Sequence, residues 1–170
     1  GSSSTKRDRL HDWRSELTWS DLAAMHLALD AMAVPQVAEH LFDYAERDRA
    51  DETTEYGGVL QLDHRGRYEV REFIPRVRHH DQKFLASQAM FDAGYDALFH
   101  FHLHVQRERN NDFAGPGYGD LNYADNTRAN CLVFTSVGDD RLNLDYYRHG
   151  RIAVDLGVVE RPTRAALEQP

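Results

Sequence analysis

Three histidines alternate with apolar residues in the run LFHFHLHV, past the middle of a chain of 170 residues. In an extended strand, His100, His102 and His104 project from one face and the apolar residues from the other. Two histidines at i and i+2 can reach a shared metal ion at the roughly 2.0–2.1 Å that zinc requires. The pattern therefore predicts a metal site, and a strand face of solvated histidines is the alternative interpretation.

A carboxylate is expected to complete such a site. Hydrolytic zinc sites usually take three protein ligands and leave the fourth position to water. Asp120 is our candidate because it follows the glycine-rich GPGYG, which allows a close backbone approach, and begins a predicted helix. Simple N-capping by Asp120 is the competing interpretation. Asp96, Asp112 and Asp125 are further candidate ligands.

A second carboxylate is needed for acid/base chemistry. A metal-activated water reacts better when a nearby carboxylate takes its proton and passes it to the leaving nitrogen. Glu55 stands just before the β-prone run YGGVL, where Gly57 and Gly58 allow a close approach of the backbone. We therefore predict Glu55 as the general acid/base, with a surface glutamate of no chemical role as the alternative.

Three segments of the chain follow one another in the order of a known signature. TEYGGVL, HFHLH and PGYGDL resemble the JAMM motif of JAB/MPN-domain metalloproteases, in which E-x-x-G-x-L precedes H-x-H and P-S-x-x-D-L. The resemblance covers roughly residues 36 to 158. It implies a single α/β (α+β) domain, JAB/MPN-like and cytidine-deaminase-like, with a mixed β-sheet flanked by helices. It also implies cleavage of a peptide or isopeptide bond, typically at a ubiquitin-like modifier.

The resemblance implies a role for each matching residue. His102, His104 and Asp120 would bind one zinc ion, while Glu55 would activate the water. The extra histidine leaves a choice, because His100 with His102 also satisfies H-x-H and would make His104 an outer or substrate-facing group. We prefer the later pair, since it lies nearer the strand end and the glycine-rich loop, where solvent and substrate have access.

Two departures from the motif concern activity. The serine that stabilises the oxyanion falls at Gly117, so Tyr118, Asn122 or a backbone N–H would have to replace its hydroxyl. The stretch before Asp120 is also longer than usual and contains the polar insert QRERNND. We expect a zinc metallopeptidase or isopeptidase-like hydrolase. The alternative is a catalytically silent MPN-like scaffold that binds a protein and holds a structural metal.

A metal-dependent deaminase or another non-proteolytic hydrolase is a third interpretation. It ranks last because the deaminase signature H-x-E with P-C-x-x-C is missing and Cys131 is the only cysteine.

One cysteine also excludes an internal disulfide and a thiolate-rich zinc site, so any metal must have nitrogen and oxygen ligands. Adjacent residues on a strand face opposite ways, so we interpret His79 and His80 as part of a solvated loop.

Composition narrows the class of partner. A formal net charge of -8 gives no general attraction to nucleic acid or to anionic membranes. The resemblance to the JAB/MPN family implies a protein or peptide substrate instead. No stretch of about 18 apolar residues and no signal peptide is visible, so we expect a cytoplasmic protein. The sequence leaves the oligomeric state open.

The chain is long enough for one domain. We expect a cloning scar and flexible N-terminus at 1–18, the metal-binding domain with its N-terminal helices at 19–160, and a loose tail at 161–170. Apolar spacing predicts a helix that ends at Met32 with Ser20 as its N-cap, followed by a second helix from Pro35.

The rest of the chain alternates between extended and helical patterns. YGGVLQLD and RYEVREFI predict a hairpin around Gly66, and KFLASQAMFDAG predicts a crossover helix that ends at Gly94. The runs CLVFTSV, LNLDYYRH and RIAVDLGVV predict three strands after a short helix from Asp120. This order favours a sheet covered by helices on one or both faces.

Overall fold

The computed structural model describes residues 13–74, 84–105 and 114–168. Within these ranges the elements are α1 (Trp19–Met32), α2 (Pro35–Ala50), β1 (Gly57–Leu62), β2 (Tyr68–Glu72), α3 (Gln88–Gly94), β3 (Phe99–His104), α4 (Tyr118–Thr127), β4 (Cys131–Gly138), β5 (Arg141–Arg148), β6 (Ile152–Glu160) and α5 (Arg164–Leu167). The candidate ligand Asp112, the polar insert that contains it, and the pair His79 and His80 lie outside the described residues.

The strands form one six-stranded mixed sheet in the order β2-β1-β3-β4-β5-β6. β3 and β4 run parallel, and the other neighbours are antiparallel. β3 is therefore interior to the sheet, and its His102 pairs with Gly57 of β1 on one side and with Val133 of β4 on the other. The predicted class, a mixed α+β domain whose sheet is flanked by helices, is confirmed.

One face of the sheet packs against α1 and α2 and carries the larger hydrophobic core. Its members include Leu41, Tyr44, Phe101, Leu103 and Phe134, each at most 2% exposed. Burying a large apolar side chain contributes roughly 1.5–3 kcal/mol, so the face that carries the larger core supplies most of the hydrophobic stabilisation.

The opposite face packs against α3 and α4 and has a smaller core. There Leu121 and Ala124 of α4 contact Cys131, Val133 and Tyr147 of the sheet. The histidines of β3 project on this side, because the side chains of a strand alternate between its faces. The sheet is therefore covered on both faces, and the second face is the one that holds polar side chains of chemical interest.

The N-cap of α1 is Thr18, and the prediction of Ser20 was wrong. The Thr18 hydroxyl accepts the Asp21 N–H at 3.2 Å, while the Asp21 carboxylate accepts the Thr18 N–H at 2.7 Å. Only Thr18 stands three residues before an acidic side chain that can return the hydrogen bond, which is the geometry of a capping box.

The predicted crossover helix is shorter than its sequence pattern. Residues 84–87 are not helical, and α3 begins only at Gln88, where the Ser87 hydroxyl accepts the Met90 N–H at 3.2 Å. A serine favours an N-cap over a helix interior because its side chain can bond the exposed N–H groups. The hairpin was predicted correctly, and Gly66 in its turn has a positive φ of 74°.

The first and last of the described residues make contacts that the sequence did not indicate. The Trp13 indole donates to the Ala153 carbonyl at 2.8 Å. The tail that was expected to be loose forms the short helix α5, and Arg161 before it pairs with Glu39 and Asp43 of α2 at 2.9 and 2.7 Å. None of the helices in the described segments has the length and apolar character needed to span a bilayer.

Candidate metal centre

β3 presents its histidines to the second face. His100 and His102 are 8% and 3% exposed, whereas their neighbours Phe101 and Leu103 belong to the large core behind the sheet. The alternation predicted from LFHFHLHV is therefore present. Burial of imidazoles in a sheet costs free energy unless they find polar partners, so the partners of each ring define its role.

Two of the histidines meet Asp120. The Nε2 atoms of His102 and His104 lie 3.0 Å apart, and Asp120 places Oδ1 3.2 Å from the first and Oδ2 3.7 Å from the second. The ligand atoms of the three side chains all lie within 4.8 Å of one another. Ligands about 2.05 Å from a tetrahedral ion are separated by about 3.3 Å, so these distances fit a common ion without rearrangement of the backbone. We call His102, His104 and Asp120 the triad.

The first turn of α4 fixes the carboxylate of Asp120. This helix begins at Tyr118, so Asp120 occupies its third position. The interpretation of Asp120 as the N-cap was therefore wrong. Its Oδ2 accepts the Gly117 N–H at 2.6 Å. A carboxylate at this position is stabilised by the free N–H groups of the helix start, and its rotation is restricted.

Protein groups also hold the far side of each imidazole. The Tyr147 hydroxyl lies 3.4 Å from Nδ1 of His102, and His104 makes a hydrogen bond to the backbone of Gly115. Gly115 has a φ of 103°, a conformation that residues with a side chain rarely adopt. Such outer contacts orient the ring and select its tautomer, so both Nε2 atoms are directed to the space shared with Asp120.

The charges of the triad depend on one another. Burial raises the pKa of Asp120, but the facing imidazoles outweigh burial and hold that pKa well below its usual range. Burial lowers the pKa of His102, yet the charges of Asp120 and Glu55 raise it above the ordinary value. Burial and the neighbouring His102 lower the pKa of His104 to about 4. His104 is thus neutral at physiological pH, which is the form that binds metals.

An aromatic ring packs over His102. Phe84 stacks on the imidazole with 5.8 Å between ring centroids and 16° between planes. The space exists because Gly57 stands beside His102 on β1, where an added Cβ would lie 2.6 Å from the Phe84 ring. The close approach predicted at Gly57 and Gly58 is confirmed, since a Cβ on Gly58 would lie 2.0 Å from the Arg71 carbonyl oxygen.

His100, the alternative ligand, is engaged elsewhere. Its Nδ1 lies 2.7 Å from the Tyr123 hydroxyl, and its ring also bonds the backbone of Gly94. An added Cβ on Gly94 would lie 2.1 Å from Nε2 of His100, so the chain passes directly over that nitrogen. The structure brings His102 and His104 to Asp120 and leaves His100 outside this group.

Glu55 shares a cavity with the triad. It lies two residues before Gly57, which pairs with His102, and the Leu103 N–H donates to the Tyr56 carbonyl at 2.9 Å. The cavity has a volume of about 570 Å³, and Glu55 lines it together with all three triad residues. A second carboxylate therefore lines the same cavity as the triad.

The remaining candidates divide clearly. Asn122 lines the cavity, and its Oδ1 accepts a hydrogen bond from Arg151 at 2.9 Å, which leaves its amide NH₂ for another partner. Tyr118 is 62% exposed and lies under the guanidinium of Arg151 at 4.8 Å. Asp125 pairs with Arg151 and the Gly150 N–H, so it does not join the triad as a candidate metal ligand.

Three contributions were missed by reasoning from the sequence. Tyr147 lies on β5, Phe84 precedes α3, and Gly115 stands in the segment before α4. The role of Tyr147 depends on the strand order, because β5 is separated from β3 by β4. Only Gly115 carried a signal, since it belongs to the glycine-rich run that was expected to approach the site closely.

Comparisons of the chain with protein-family models, with characterised proteins and with solved structures find no match. What the chain does must therefore be argued from the site. The site offers two imidazoles and one carboxylate that can hold a metal ion, with a second carboxylate in the same cavity.

Proposed function

We propose that this chain is a zinc-dependent hydrolase of the JAB/MPN type that cleaves a peptide, isopeptide or related amide bond. The observation that carries the proposal is the convergence of His102, His104 and Asp120 in one cavity with Glu55. The order of these residues along the chain and the mixed sheet with helices on both faces accord with the resemblance to the JAMM motif.

Zinc is the metal that this donor set favours. Two neutral imidazole nitrogens and one carboxylate are common zinc ligands, and three protein ligands leave a position for water and substrate. When bound, zinc supplies a Lewis acid that activates water and polarises the scissile carbonyl. His102 and His104 would hold the ion through Nε2, with their outer contacts orienting both rings, and Asp120 would hold it through its carboxylate.

Glu55 is assigned the proton transfers. Its carboxylate takes a proton from water as the water oxygen attacks the carbonyl carbon, and gives it to the amide nitrogen as the C–N bond breaks. Glu55 and the triad line the same cavity, so one bound substrate can reach both. The negative charge that develops on the carbonyl oxygen needs a donor, and Asn122, which lines the cavity, offers its side-chain NH₂.

A catalytically silent MPN-like scaffold is the second candidate, and Gly117 is the observation that favours it. The motif's serine hydroxyl is replaced here by hydrogen. Removal of one oxyanion donor typically costs about 100- to 1,000-fold in rate. In this alternative the triad holds a structural metal. Chelation then lowers the melting temperature, and no amide hydrolysis is detected with or without the metal.

The metal content of four variants tests the proposed site. We expect about one zinc ion per chain by plasma mass spectrometry, lost in His102→Ala, His104→Ala and Asp120→Ala because each removes a ligand. His100→Ala is the matched control and should retain zinc, since His100 bonds Tyr123 and Gly94 instead.

Glu55→Gln separates the hydrolase from the scaffold. This variant should keep its zinc and lose amide hydrolysis, because glutamine cannot accept the proton. Zinc bound by the unmodified chain without cleavage of any amide substrate would establish the scaffold. Full activity of Glu55→Gln would remove Glu55 from the mechanism.

A further inference from the structure

Next to the triad, apolar and aromatic side chains line a further part of the cavity. Phe84, Leu85, Met90 and Phe91 come from α3 and the segment before it, and Tyr123 comes from α4. Phe91 and Tyr123 stack with 6.0 Å between ring centroids and 25° between planes. We call these five residues the apolar compartment. Phe91 is 36% exposed, so a group that enters the compartment would remove apolar surface from water.

The apolar compartment begins beside the triad, where Phe84 stacks on His102, and extends one strand repeat along β3 to His100. His100 lines the same cavity and contacts Tyr123, with 5.9 Å between the ring centroids. His100 and His102 project from the same face of β3, and two residues of a strand span about 6.6 Å. This offset matches the distance between a reacting carbonyl and the side chain of the residue that carries it, which is also several ångströms.

The walls of the apolar compartment offer no charge to a ligand. The ring of His100 is taken up by hydrogen bonds to the Tyr123 hydroxyl and the Gly94 backbone. Among the lining residues that the structure describes there is no lysine or arginine. The amides of Asn122 and Asn126 line the cavity as neutral polar groups. Such walls disfavour an anionic ligand and suit an uncharged one.

We propose that the apolar compartment binds a large apolar or aromatic side chain of a peptide-like substrate, next to the bond that is cut. The position next to that bond rests on the proposed function, whereas the preference for an apolar ring does not. Since Arg151 holds Oδ1 of Asn122, the NH₂ of that amide is available to a backbone carbonyl of the same ligand. The compartment thus selects the side chain, and the amide orients the backbone.

Binding is measured first, without reference to catalysis. The full chain is isotope-labelled and titrated by NMR with N-acetyl-phenylalaninamide, N-acetyl-glycinamide and N-acetyl-aspartamide. We expect the phenylalanine ligand to bind at least about tenfold more tightly than the other two, because only it buries a ring. The shifted signals should be those of Met90, Phe91 and Tyr123. Equal binding of all three ligands, or shifts elsewhere on the protein, would overturn the inference.

A pair of variants localises the effect. Phe91→Ala should reduce the preference for the phenylalanine ligand by about fivefold or more, because it removes the exposed wall of the compartment. Val158→Ala is the matched control, since Val158 is 43% exposed on β6 and does not line the cavity. An unchanged preference in Phe91→Ala would contradict the assignment.

Hydrolysis then separates the inference from the proposed function. With the zinc-loaded chain, peptide amides that differ only in the residue before the bond should show kcat/KM about tenfold or more higher for Phe or Leu than for Gly. Cleavage with no such preference overturns the inference and leaves the proposed function standing. Selective binding of the phenylalanine ligand without cleavage of any amide supports the compartment and refutes the hydrolase.

Discussion

The two faces of the sheet are made by the same strands and differ in how they are covered. On the face of α1 and α2, the side chains of the large core are buried, and the carboxylate of Asp21 is enclosed by Arg148 and Tyr146. On the face of α3 and α4 the cover is partial, and a cavity of about 570 Å³ reaches the triad. One face is therefore closed and the other open.

This difference lies between neighbouring residues of the chain. In β3, Phe101 belongs to the closed face and His102 to the open face, and in β5 Tyr146 and Tyr147 divide in the same way. Stability and chemistry are consequently separated by one position along a strand. Single substitutions at adjacent or matched positions can then test each face on its own.

The largest expected effect is on stability, at the closed face. Phe101→Ala should lower the free energy of unfolding by about 3–5 kcal/mol, because loss of the ring leaves a cavity between Tyr44 and Phe134. Phe91→Ala, the same change at an exposed position of the open face, should cost less than about 1 kcal/mol. Urea unfolding measures both, and similar losses would mean that the faces do not differ in this way.

The next effect is on activity, at the open face. Gly117→Ser should raise kcat/KM by up to about 100- to 1,000-fold, because it restores a hydroxyl donor for the oxyanion. The backbone permits the change, since φ is -80° and an added Cβ would lie 3.4 Å from Oδ2 of Asp120. Gly119→Ser adds the same side chain in open space and should give no comparable gain. Equal rates in the two variants would show that position 117 has no special role.

Two adjacent tyrosines provide a smaller and sharper contrast. Tyr147→Phe should weaken zinc binding by about 10- to 100-fold in competition with a chelator, because the hydroxyl beside Nδ1 of His102 is lost. Tyr146→Phe removes the hydroxyl that donates to Asp21 on the closed face at 2.9 Å, so it should lower stability by about 1 kcal/mol and leave zinc affinity unchanged. Identical zinc affinities in both variants would break the distinction.

The smallest expected effect is a pH dependence of the closed face. Burial raises the pKa of Asp21, but the hydrogen bonds from Arg148 and Thr18 outweigh burial and hold it below its usual range. A depressed pKa stabilises the fold above the unfolded value of about 3.9, and this contribution is lost as the pH falls below that value. Asp21→Asn should therefore lose on the order of 1–2 kcal/mol less stability between pH 7 and pH 3 than the unmodified chain.

Urea unfolding at both pH values measures this difference. Asp92→Asn, which removes an exposed carboxylate on α3, is the matched control. If Asp21→Asn matches the unmodified chain, the closed face does not owe stability to this ion pair.

The sequence predicted those features that depend on local pattern. The alternation in β3, the hairpin at Gly66 and the start of α2 at Pro35 follow from spacing and from residues with narrow backbone preferences. The meeting of His102, His104 and Asp120 was also expected, through the order of the motifs. Membership of the JAB/MPN family stays a prediction.

What the sequence missed depends on contacts between distant segments. Thr18 competes with Ser20 as the cap of α1, and only the returning bond of Asp21 decides between them. The helix before β3 loses its first residues to the cap at Ser87. Tyr147 reaches His102 across a neighbouring strand, which becomes visible only when the strand order is known.

The pairing of β3 on both edges limits which sequence changes this protein can accept during evolution. With Gly57 on one side and Val133 on the other fixing its position, deletion of one residue before His102 would turn every later side chain of the strand to the opposite layer. His102 and His104 would then enter the apolar core, while Leu103 would face the cavity. Point substitutions can therefore vary either layer separately, whereas a length change in this segment eliminates folding and chemistry together.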